Sequence, residues 1–366
     1  MNDIAEPSPA SESHPWLVRI PEIFEGIAPG ILQGLGVLPQ KRLGTEYYLV
    51  RAPFRTATTL RAAHVSVFVR WSLPVEHAWP CHPAKMEGFV EKAAQGLLKK
   101  FGSRRPQTLL VGQLNPGAPD HYYKNLAVNL RGRALQLFPS LPVHEVEDQE
   151  PEAETLFCLV GREGLFAGML SPRDSNGFHP GGSRYIAKDS SEAISRAGAK
   201  IAEALHYLPL YRRPLNQGSR WLELGACPGG MTLELLQRHY QVTAIDVAPL
   251  DVRLHQHRGL TFVRSRVEAF SPEPGHSFHA LLSDMNGPPQ ESMAQVIRLS
   301  RHLKQQGLIV FTLKLPRVET VEEPLALFRS VVREAEKAGL RLLARTHLTY
   351  NRHEFTLFFE SEHVED

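Results

Sequence analysis

The sequence has few cysteines and no long apolar run, which argues against several classes of protein. Its 366 residues include three cysteines, Cys81, Cys158 and Cys227, and none of them stands in a CxxC pair. An odd number without that spacing argues against a disulfide framework and against a zinc site, so reduced thiols and no bound metal are expected. No stretch reaches the roughly 18 apolar residues of a transmembrane helix, and the first residues lack the pattern of a secretory signal. The sequence therefore predicts a cytoplasmic protein without a membrane partner.

The charge balance is also close to neutral. The chain has 41 lysines and arginines against 39 acidic residues, a formal net charge of +2. Such a balance neither demands nor excludes a nucleic-acid partner, so any basic surface has to be local. The length predicts two or three domains. The polar, Pro/Ser-rich start predicts a disordered tail over residues 1–15, and the stretch SPRDSNGFHPGGS predicts a linker at 171–183.

From about residue 218 onward, β-like segments alternate with helical ones, as in a parallel α/β sheet. The predicted strands are 220–225, 241–247, 260–265, 279–285, 307–315, 340–348 and 354–360. The clearest helices are 231–240, 291–306 and 323–339. Only Thr349 to His353 join the last two strands. Because this connection is too short for a parallel crossover, these two strands are expected to run antiparallel.

A glycine-rich turn, GACPGG at 225–230, follows the first of these strands. Cys227 stands two places after Gly225, where a nicotinamide-binding GxGxxG loop requires glycine. Glycines let a ligand approach closely, and the N–H groups of the next helix can bind a carboxylate such as that of methionine. Asp246 closes the second strand, where an acid can accept both hydroxyls of a ribose. The alternative is that the glycines serve packing and Asp246 caps a loop.

Charged side chains also stand where strands meet one edge of the predicted sheet. Asp284 and Lys314 lie at the ends of the fourth and fifth strands, and Glu354 begins the antiparallel last strand. Lys314 interrupts an apolar run, where a buried lysine is costly unless carboxylates or a lowered pKa relieve it. The alternative interpretation of Lys314 is a side chain that extends to solvent at the end of the strand. Lys200, on the helix before the first strand, could lower the pKa of Lys314 and so make Lys314 a useful base. Taken alone, Lys200 would be interpreted as a solvated surface lysine.

Five segments, SRAGAKIAEA, LELGACPGGMT, SDM, LKLP and YNRHEFT, occur in the order and nearly at the intervals found in the FtsJ-like ribose 2′-O-methyltransferases. Within that family the chain most resembles the RlmM-type bacterial 23S ribosomal RNA (cytidine-2′-O)-methyltransferases. The resemblance is close over about 180–360. It implies an α/β fold with a Rossmann-like, seven-stranded S-adenosylmethionine-dependent methyltransferase sheet at 184–366. It also implies an N-terminal α+β RNA-binding region, ferredoxin-like at 16–60 and a divergent THUMP-like domain at 61–170.

The resemblance also assigns roles to individual residues. It implies a catalytic tetrad of Lys200, Asp284, Lys314 and Glu354. It implies contacts to S-adenosylmethionine by Ser195, Gly225, Cys227, Pro228, Gly229, Gly230, Asp246 and Asp284. The family has an acid near the adenine after the third strand. This sequence departs from the pattern, with Arg266 at that place and Glu268 as a candidate substitute.

The implied reaction is in-line attack of a ribose 2′-hydroxyl on the sulfonium methyl group, without a metal. Lys314 is the candidate base, and Asp284 and Glu354 would orient the ammonium groups. A monomer acting on a cytidine of 23S ribosomal RNA is expected. Two rivals remain open: a methyltransferase for another RNA, for a base nitrogen or for a small molecule, and a non-catalytic RNA-binding relative.

Two short basic runs in the N-terminal half are candidates for RNA contact. They are KKFGSRRP at 99–106 and RGR at 131–133, with Tyr122 and Tyr123 nearby. Basic side chains can bind phosphates, and tyrosines can stack on bases. The alternative is that these runs are ordinary solvated faces.

Overall fold

The computed structural model describes residues 13–53, 56–81, 86–115, 121–139, 141, 146–184 and 193–362. The chain divides into two compact units, Met1–Gly182 and Ser183–Asp366. Residues 1–12, most of the predicted tail, lie outside the described part, and the first strand begins at His14. No helix among the described residues is both long enough and apolar enough to cross a bilayer.

The first unit opens with a small antiparallel sheet. Its strands are β1 (His14–Arg19), β2 (Leu38–Leu43), β3 (Tyr47–Ala52) and β4 (Trp71–Pro74). Their order is β2-β3-β1-β4, with every neighbouring pair antiparallel. Two short helices, α1 (Ala28–Gly34) and α2 (Ala57–Ala62), belong to the same part of the chain. Because β4 completes this sheet, the sheet extends beyond the predicted segment 16–60.

A second sheet and two longer helices complete the first unit. The strands are β5 (His77–Trp79), β6 (Thr108–Gln113), β7 (Thr155–Gly161) and β8 (Gly164–Leu170), in the order β5-β8-β7-β6. The helices are α3 (Met86–Phe101) and α4 (Tyr122–Leu137). Both helices bury one apolar face in the core that covers this sheet. The α+β character of the unit follows from these elements, whereas the names ferredoxin-like and THUMP-like stay predictions.

The Gly/Pro/Ser stretch that the sequence presents as a linker packs onto the first unit. It contains the short helix α5 (Pro172–Ser175). Arg19 donates from Nη1 to the carbonyl of Gly181 at 2.6 Å, and Arg70 donates from Nη2 to the carbonyl of Gly182 at 2.9 Å. Both arginines are buried. Residues 171–182 therefore belong to the first unit by their contacts, and the boundary between the units lies at the end of the stretch.

The second unit contains one large sheet, which has seven strands within the described residues. They are β9 (Arg220–Leu224), β10 (Gln241–Asp246), β11 (Leu260–Arg264), β12 (Phe278–Ser283), β13 (Leu303–Lys314), β14 (Leu340–Thr346) and β15 (Glu354–Ser361). The helices are α6 (Ala197–Tyr207), α7 (Gly230–Gln237), α8 (Pro289–Ser300) and α9 (Glu322–Lys337). The predicted α/β class is confirmed.

The topology of this sheet brings the ends of several strands to one edge. The strand order is β11-β10-β9-β12-β13-β15-β14, and β15 runs antiparallel to both of its neighbours, as predicted. The other pairs are parallel. In β13 every residue from Gly307 to Leu313 is buried, and Lys314 ends this run. Lys314 is paired in register with Glu354, so the end of one strand faces the start of the next.

The predicted helix 291–306 is too long. Helix α8 ends at Ser300, and β13 begins at Leu303, which pairs with Phe278 across a register shift. Leu299 and Leu303 have the four-residue spacing of a helix face, which explains the longer prediction. Gln306 has a φ of 56°, a left-handed conformation that neither a regular helix nor a regular strand adopts. The irregular start of β13 therefore carries a helix-like sequence.

Candidate active site

The four residues of the predicted tetrad meet at the edge where the parallel strands end. Lys200 lies on α6, Asp284 follows β12, Lys314 ends β13 and Glu354 begins β15. The chain therefore draws them from four separate elements of one unit. Their side chains are mostly buried, with exposed fractions from 8% for Glu354 to 28% for Lys314.

The ammonium and carboxylate groups of these residues alternate in a closed arrangement, here called the charge ring. Lys200 Nζ lies 3.2 Å from Asp284 Oδ2 and 2.6 Å from Glu354 Oε1. Lys314 Nζ lies 2.6 Å from Asp284 Oδ1 and 3.0 Å from Glu354 Oε2. Each lysine contacts both acids, so each buried charge has two opposite neighbours. Such charge-assisted contacts fix the geometry and relieve the cost of burial.

The predicted lowering of the Lys314 pKa is wrong, because the structure indicates a raised value. Burial alone would lower the pKa of Lys314, but the charges and hydrogen bonds of Asp284 and Glu354 outweigh burial and raise it. Burial likewise opposes ionisation of Glu354, yet Lys200 and Lys314 hold the pKa of its carboxyl below the usual value. The carboxylates dominate because they touch the ammonium directly. Lys314 is therefore protonated near neutral pH.

A cavity of about 640 Å³ opens beside the ring. Asp284 and Lys314 of the ring line it, and so do most residues of the glycine-rich turn. Gly225 and Gly229 have φ angles of 78° and 107°, which side chains other than glycine rarely adopt. The Cys227–Pro228 peptide bond is cis. The predicted turn therefore depends on its glycines and forms one wall of a ligand-sized space.

Two features of this wall suit a carboxylate. Helix α7 begins at Gly230, and a Cβ atom at that position would collide with Ser195 Oγ. Ser195 Oγ is buried and has no hydrogen-bond partner among the described residues. Both residues line the cavity. A buried hydroxyl without a partner beside the N–H groups of a helix start offers donors to an anionic ligand group.

Asp246 has a structural task as well as a place in the cavity. Its Oδ2 accepts the Cys227 N–H at 2.9 Å, and its Oδ1 accepts the Ala248 N–H at 2.9 Å. The alternative interpretation, that Asp246 caps a loop, therefore describes one of its contacts correctly. Each carboxylate oxygen has a further lone pair, and the side chain lines the cavity. Asp246 can thus order the turn and still accept hydroxyl groups of a ligand.

Sequence reasoning missed Glu223, which lies on β9 just before the turn. Its side chain is buried, lines the cavity and accepts a hydrogen bond from Thr232 Oγ1 at 2.7 Å. Burial raises the pKa of Glu223 to about 8, and the nearby charges of Asp284 and Asp246 add to the increase. A glutamate within the apolar strand sequence LEL was the available signal, because buried acids are rare without a function or a partner.

The loop after β11 contains the position that departs from the family pattern. Arg266 and Glu268 both line the cavity and lie 3.5 Å apart as a largely exposed ion pair. Arg298 of α8, which does not line the cavity, donates hydrogen bonds to the backbone of this loop. It donates from Nη2 to the carbonyl of Val267 at 2.7 Å and from Nη1 to that of Phe270 at 2.9 Å. The loop is therefore ordered by a residue outside the cavity lining, which the sequence did not indicate.

The two basic runs of the first unit are partly engaged within the unit. Arg104 forms an ion pair with Glu76, and Arg133 forms one with Glu91. The exposed basic residues that remain in the runs are Lys99, Lys100 and Arg105. RNA contact by these runs thus stays a prediction that concerns chiefly the exposed residues.

The two predicted stacking tyrosines also contribute to the fold. Tyr122 and Tyr123 meet edge to face with ring centroids 5.1 Å apart. Both pack against the core between α3 and α4 and are partly buried. Base stacking by them stays a prediction, because a ring that packs on the core offers less of its face to a ligand.

No group of three or more histidine, cysteine, aspartate or glutamate side chains in the described part of the chain is arranged to hold a metal ion. Cys227 is exposed in the turn, and its thiol donates to the carbonyl of Pro249 at 3.4 Å. Burial and the charge of Asp246 raise the pKa of this thiol, which disfavours the thiolate form. The site therefore offers amines and carboxylates, rather than a reactive sulfur, for chemistry.

Comparison with known proteins shows which proteins the second unit resembles. Residues 193–343 match the family model of the FtsJ-like methyltransferases. Three curated relatives are each named ribosomal RNA large subunit methyltransferase M. The relative from Shewanella amazonensis is 30% identical over 55% of this chain and 56% of its own length. The relative from Edwardsiella ictaluri is 33% identical over 57% of this chain and 54% of its own length. The relative from Shewanella loihica is 28% identical over 68% of this chain and 69% of its own length.

These alignments span between about half and two thirds of the relatives' lengths. The matched residues 193–343 include the glycine-rich turn and three of the four residues of the charge ring. Glu354 follows shortly after them, in register with Lys314. Residues 193–343 are therefore similar to the FtsJ-like methyltransferases over the stretch that holds the glycine-rich turn and most of the charge ring.

Proposed function

We propose that this protein is an S-adenosylmethionine-dependent methyltransferase that modifies ribose 2′-hydroxyl groups of RNA, acting as a monomer. The expected target is a cytidine of 23S ribosomal RNA. The observation that carries the proposal is the charge ring, which reaches the cavity through Lys314 and Asp284. Methylation of a hydroxyl needs groups that orient it and take its proton. The names of the relatives support a large-subunit ribosomal RNA as the substrate.

The cavity fits S-adenosylmethionine by size and by the chemistry of its walls. Its volume of about 640 Å³ lies within the usual range for ligands of this size. Ser195 Oγ and the start of α7 would bind the methionine carboxylate, and Asp246 would accept the ribose hydroxyls. The Ser265–Glu268 loop would border the adenine. When bound, this cofactor supplies a methyl group that is activated by a sulfonium charge.

Within the ring, Lys314 is the lysine that lines the cavity and is the more exposed of the two. It is our candidate for the group that takes the hydroxyl proton. A positive charge in the cavity would oppose the carboxylates and lower the pKa of Lys314, which favours the neutral amine. Asp284 and Glu354 would hold its Nζ in place. Lys200 would keep the two acids paired and help to position the ribose.

The proposal is tested by transfer of labelled methyl groups to deproteinised ribosomal RNA and to transfer RNA that lack their own modifications. Resistance to alkaline hydrolysis at single nucleotides then maps the products. A new resistant site supports 2′-O-methylation and identifies the nucleotide. Methylation of a base would contradict the proposed role of the charge ring. Failure to bind the cofactor would favour the non-catalytic alternative, whereas absence of transfer despite measured cofactor binding would point to precursor particles or other RNAs as the substrate.

Replacement of Arg298 by methionine should weaken cofactor binding with little effect on turnover. The change removes two hydrogen bonds from a charged donor to the carbonyls of Val267 and Phe270. Bonds of this kind contribute about 1.5–3 kcal/mol each, so partial loss of loop order should raise the KM for S-adenosylmethionine about 10-fold. Initial-rate kinetics measures the effect.

The matched control for Arg298 is Arg301, an exposed arginine at the end of the same helix. Its replacement by methionine should leave the KM within about twofold, because surface substitutions usually have small effects. Equal KM values for both variants would show that Arg298 does not order the cofactor loop.

A further inference from the structure

The connection between β14 and β15 is tied to the helix that carries Lys200. Glu203 lies one turn after Lys200 on α6 and is 3% exposed. Its Oε2 accepts the Thr349 N–H at 2.8 Å, and its Oε1 accepts the Thr349 hydroxyl at 2.7 Å. A buried carboxylate is costly unless hydrogen bonds compensate for its lost hydration. These two bonds join the helix and the connection at one point.

The connection itself is stiffened by further hydrogen bonds. Asn351 donates from Nδ2 to the carbonyl of Glu354 and to Thr356 Oγ1, at 3.1 Å in both cases. His347 Nε2 lies 2.9 Å from the carbonyl of Arg352. Because these bonds make the connection rigid, a shift of Thr349 would also shift the start of the following strand, β15. The place of Thr349 thus influences where Glu354 begins β15.

The charge ring depends on this relation, because one lysine comes from α6 and one acid from β15. Lys200 Nζ and Glu354 Oε1 are 2.6 Å apart, and no backbone pairing joins α6 to β15 in the way that strand pairing joins Lys314 to Glu354. The strand register therefore fixes one side of the ring. The other side needs a separate constraint on the helix.

We propose that Glu203 is a positioning residue that supplies this constraint by holding Thr349. The inference rests on the proposed function and deepens it, since it assigns a further residue to the same site. Glu203 acts through the separation of Lys200 and Glu354 rather than through the substrate. Displacement of a reacting group by about 1 Å can cost about 100-fold in rate, so a loose ring would lower turnover strongly.

The test compares two substitutions of Glu203 with one of Tyr207. Glu203→Met keeps the volume and removes both acceptors. Glu203→Gln keeps one acceptor, and its amide can donate to the Thr349 hydroxyl, so it should rescue. Tyr207→Phe is the matched control, because Tyr207 Oη donates to the carbonyl of Arg345 at 3.4 Å, from the same helix to β14. Measurements are the single-turnover rate, the Kd for S-adenosylmethionine, the Tm and the crystal structure.

We expect Glu203→Met to lower the rate about 30- to 100-fold with the Kd within about twofold. Glu203→Gln should stay within about threefold of the native rate, and Tyr207→Phe within about twofold. A native rate in Glu203→Met would overturn the proposal. So would an equal loss in Tyr207→Phe, or a parallel loss of cofactor affinity, since both would indicate a general effect on the fold.

The crystal structures decide the question even if the proposed function fails. In Glu203→Met the distance between Lys200 Nζ and Glu354 Oε1 should exceed hydrogen-bond range, and an unchanged distance overturns the inference. A native protein that methylates no ribose would refute the proposed function alone. If Glu203→Met does not fold, Thr349→Val removes only the hydroxyl bond and should lower the rate about 3- to 10-fold, whereas a native rate contradicts the proposal.

Discussion

Replacement of Lys314 by alanine is expected to lower methyl transfer at least about 1,000-fold while cofactor affinity stays within about threefold. General base catalysis contributes about 10²- to 10⁴-fold, and alanine removes the proton acceptor that lines the cavity. The change also leaves Asp284 and Glu354 with one shared ammonium, that of Lys200. Single-turnover transfer to the mapped RNA site and calorimetry with S-adenosylmethionine measure the two effects.

Lys314→Arg separates the role of a base from that of a positive charge. Arginine can keep ion pairs with both carboxylates but stays protonated, so it cannot accept the hydroxyl proton. We expect it to be nearly as inactive as alanine. The native rate should also rise with pH, because the raised pKa of Lys314 leaves little neutral amine near pH 7. An active arginine variant, or a rate that does not change with pH, would show that Lys314 only positions the substrate.

Replacement of Glu223 by glutamine should stabilise the protein at alkaline pH. The pKa of Glu223 is about 8 in the folded protein, against an ordinary value of 4.5. Between these values the unfolded chain has released a proton that the folded protein still holds, so stability falls as pH rises from 4.5 to about 8. The loss approaches 5 kcal/mol as an order of magnitude. Glutamine does not titrate and can still accept the hydrogen bond of Thr232.

Thermal unfolding across this pH range measures the effect. The Tm of Glu223→Gln should exceed that of the native protein increasingly as pH rises from about 5 to about 8.5, with little difference at the lower end. Glu291→Gln, a change at an exposed position of α8, serves as the control and should follow the native curve. Parallel curves for Glu223→Gln and the native protein would show that Glu223 is already ionised in the fold.

Much of the second unit followed from local sequence patterns. Alternating β-like and helical segments predicted its α/β class, and the short connection from Thr349 to His353 predicted the antiparallel end of the sheet. The end of α8 was missed because Leu299 and Leu303 continue a helical spacing. The pairing of Leu303 with Phe278, which decides the matter, is a contact between separate segments of the chain.

The identity of the site residues could be predicted from residue type and strand position. Their hydrogen-bond partners and pKa shifts could not, because these depend on distances between side chains. Glu203 bonds to a residue 146 positions away, so no local pattern indicates its partner. The sign of the Lys314 pKa shift depended on the competition between burial and two carboxylates within 3.0 Å. The sequence suggested those neighbours but contained no measure of how closely they approach.

The anchoring of residues 171–182 by Arg19 and Arg70 decides where the molecule can be divided for separate expression. A first fragment that ended before Ser171 would lack the carbonyl groups of Gly181 and Gly182, so the buried side chains of Arg19 and Arg70 would each lose a hydrogen-bond acceptor. Loss of a partner by a buried charged group costs several kcal/mol, about a third or more of the stability of a typical domain. A division between Gly182 and Ser183 coincides with the boundary between the two compact units. A first fragment that ended at Gly182 would keep both arginines and the two carbonyl groups that they bind on one polypeptide.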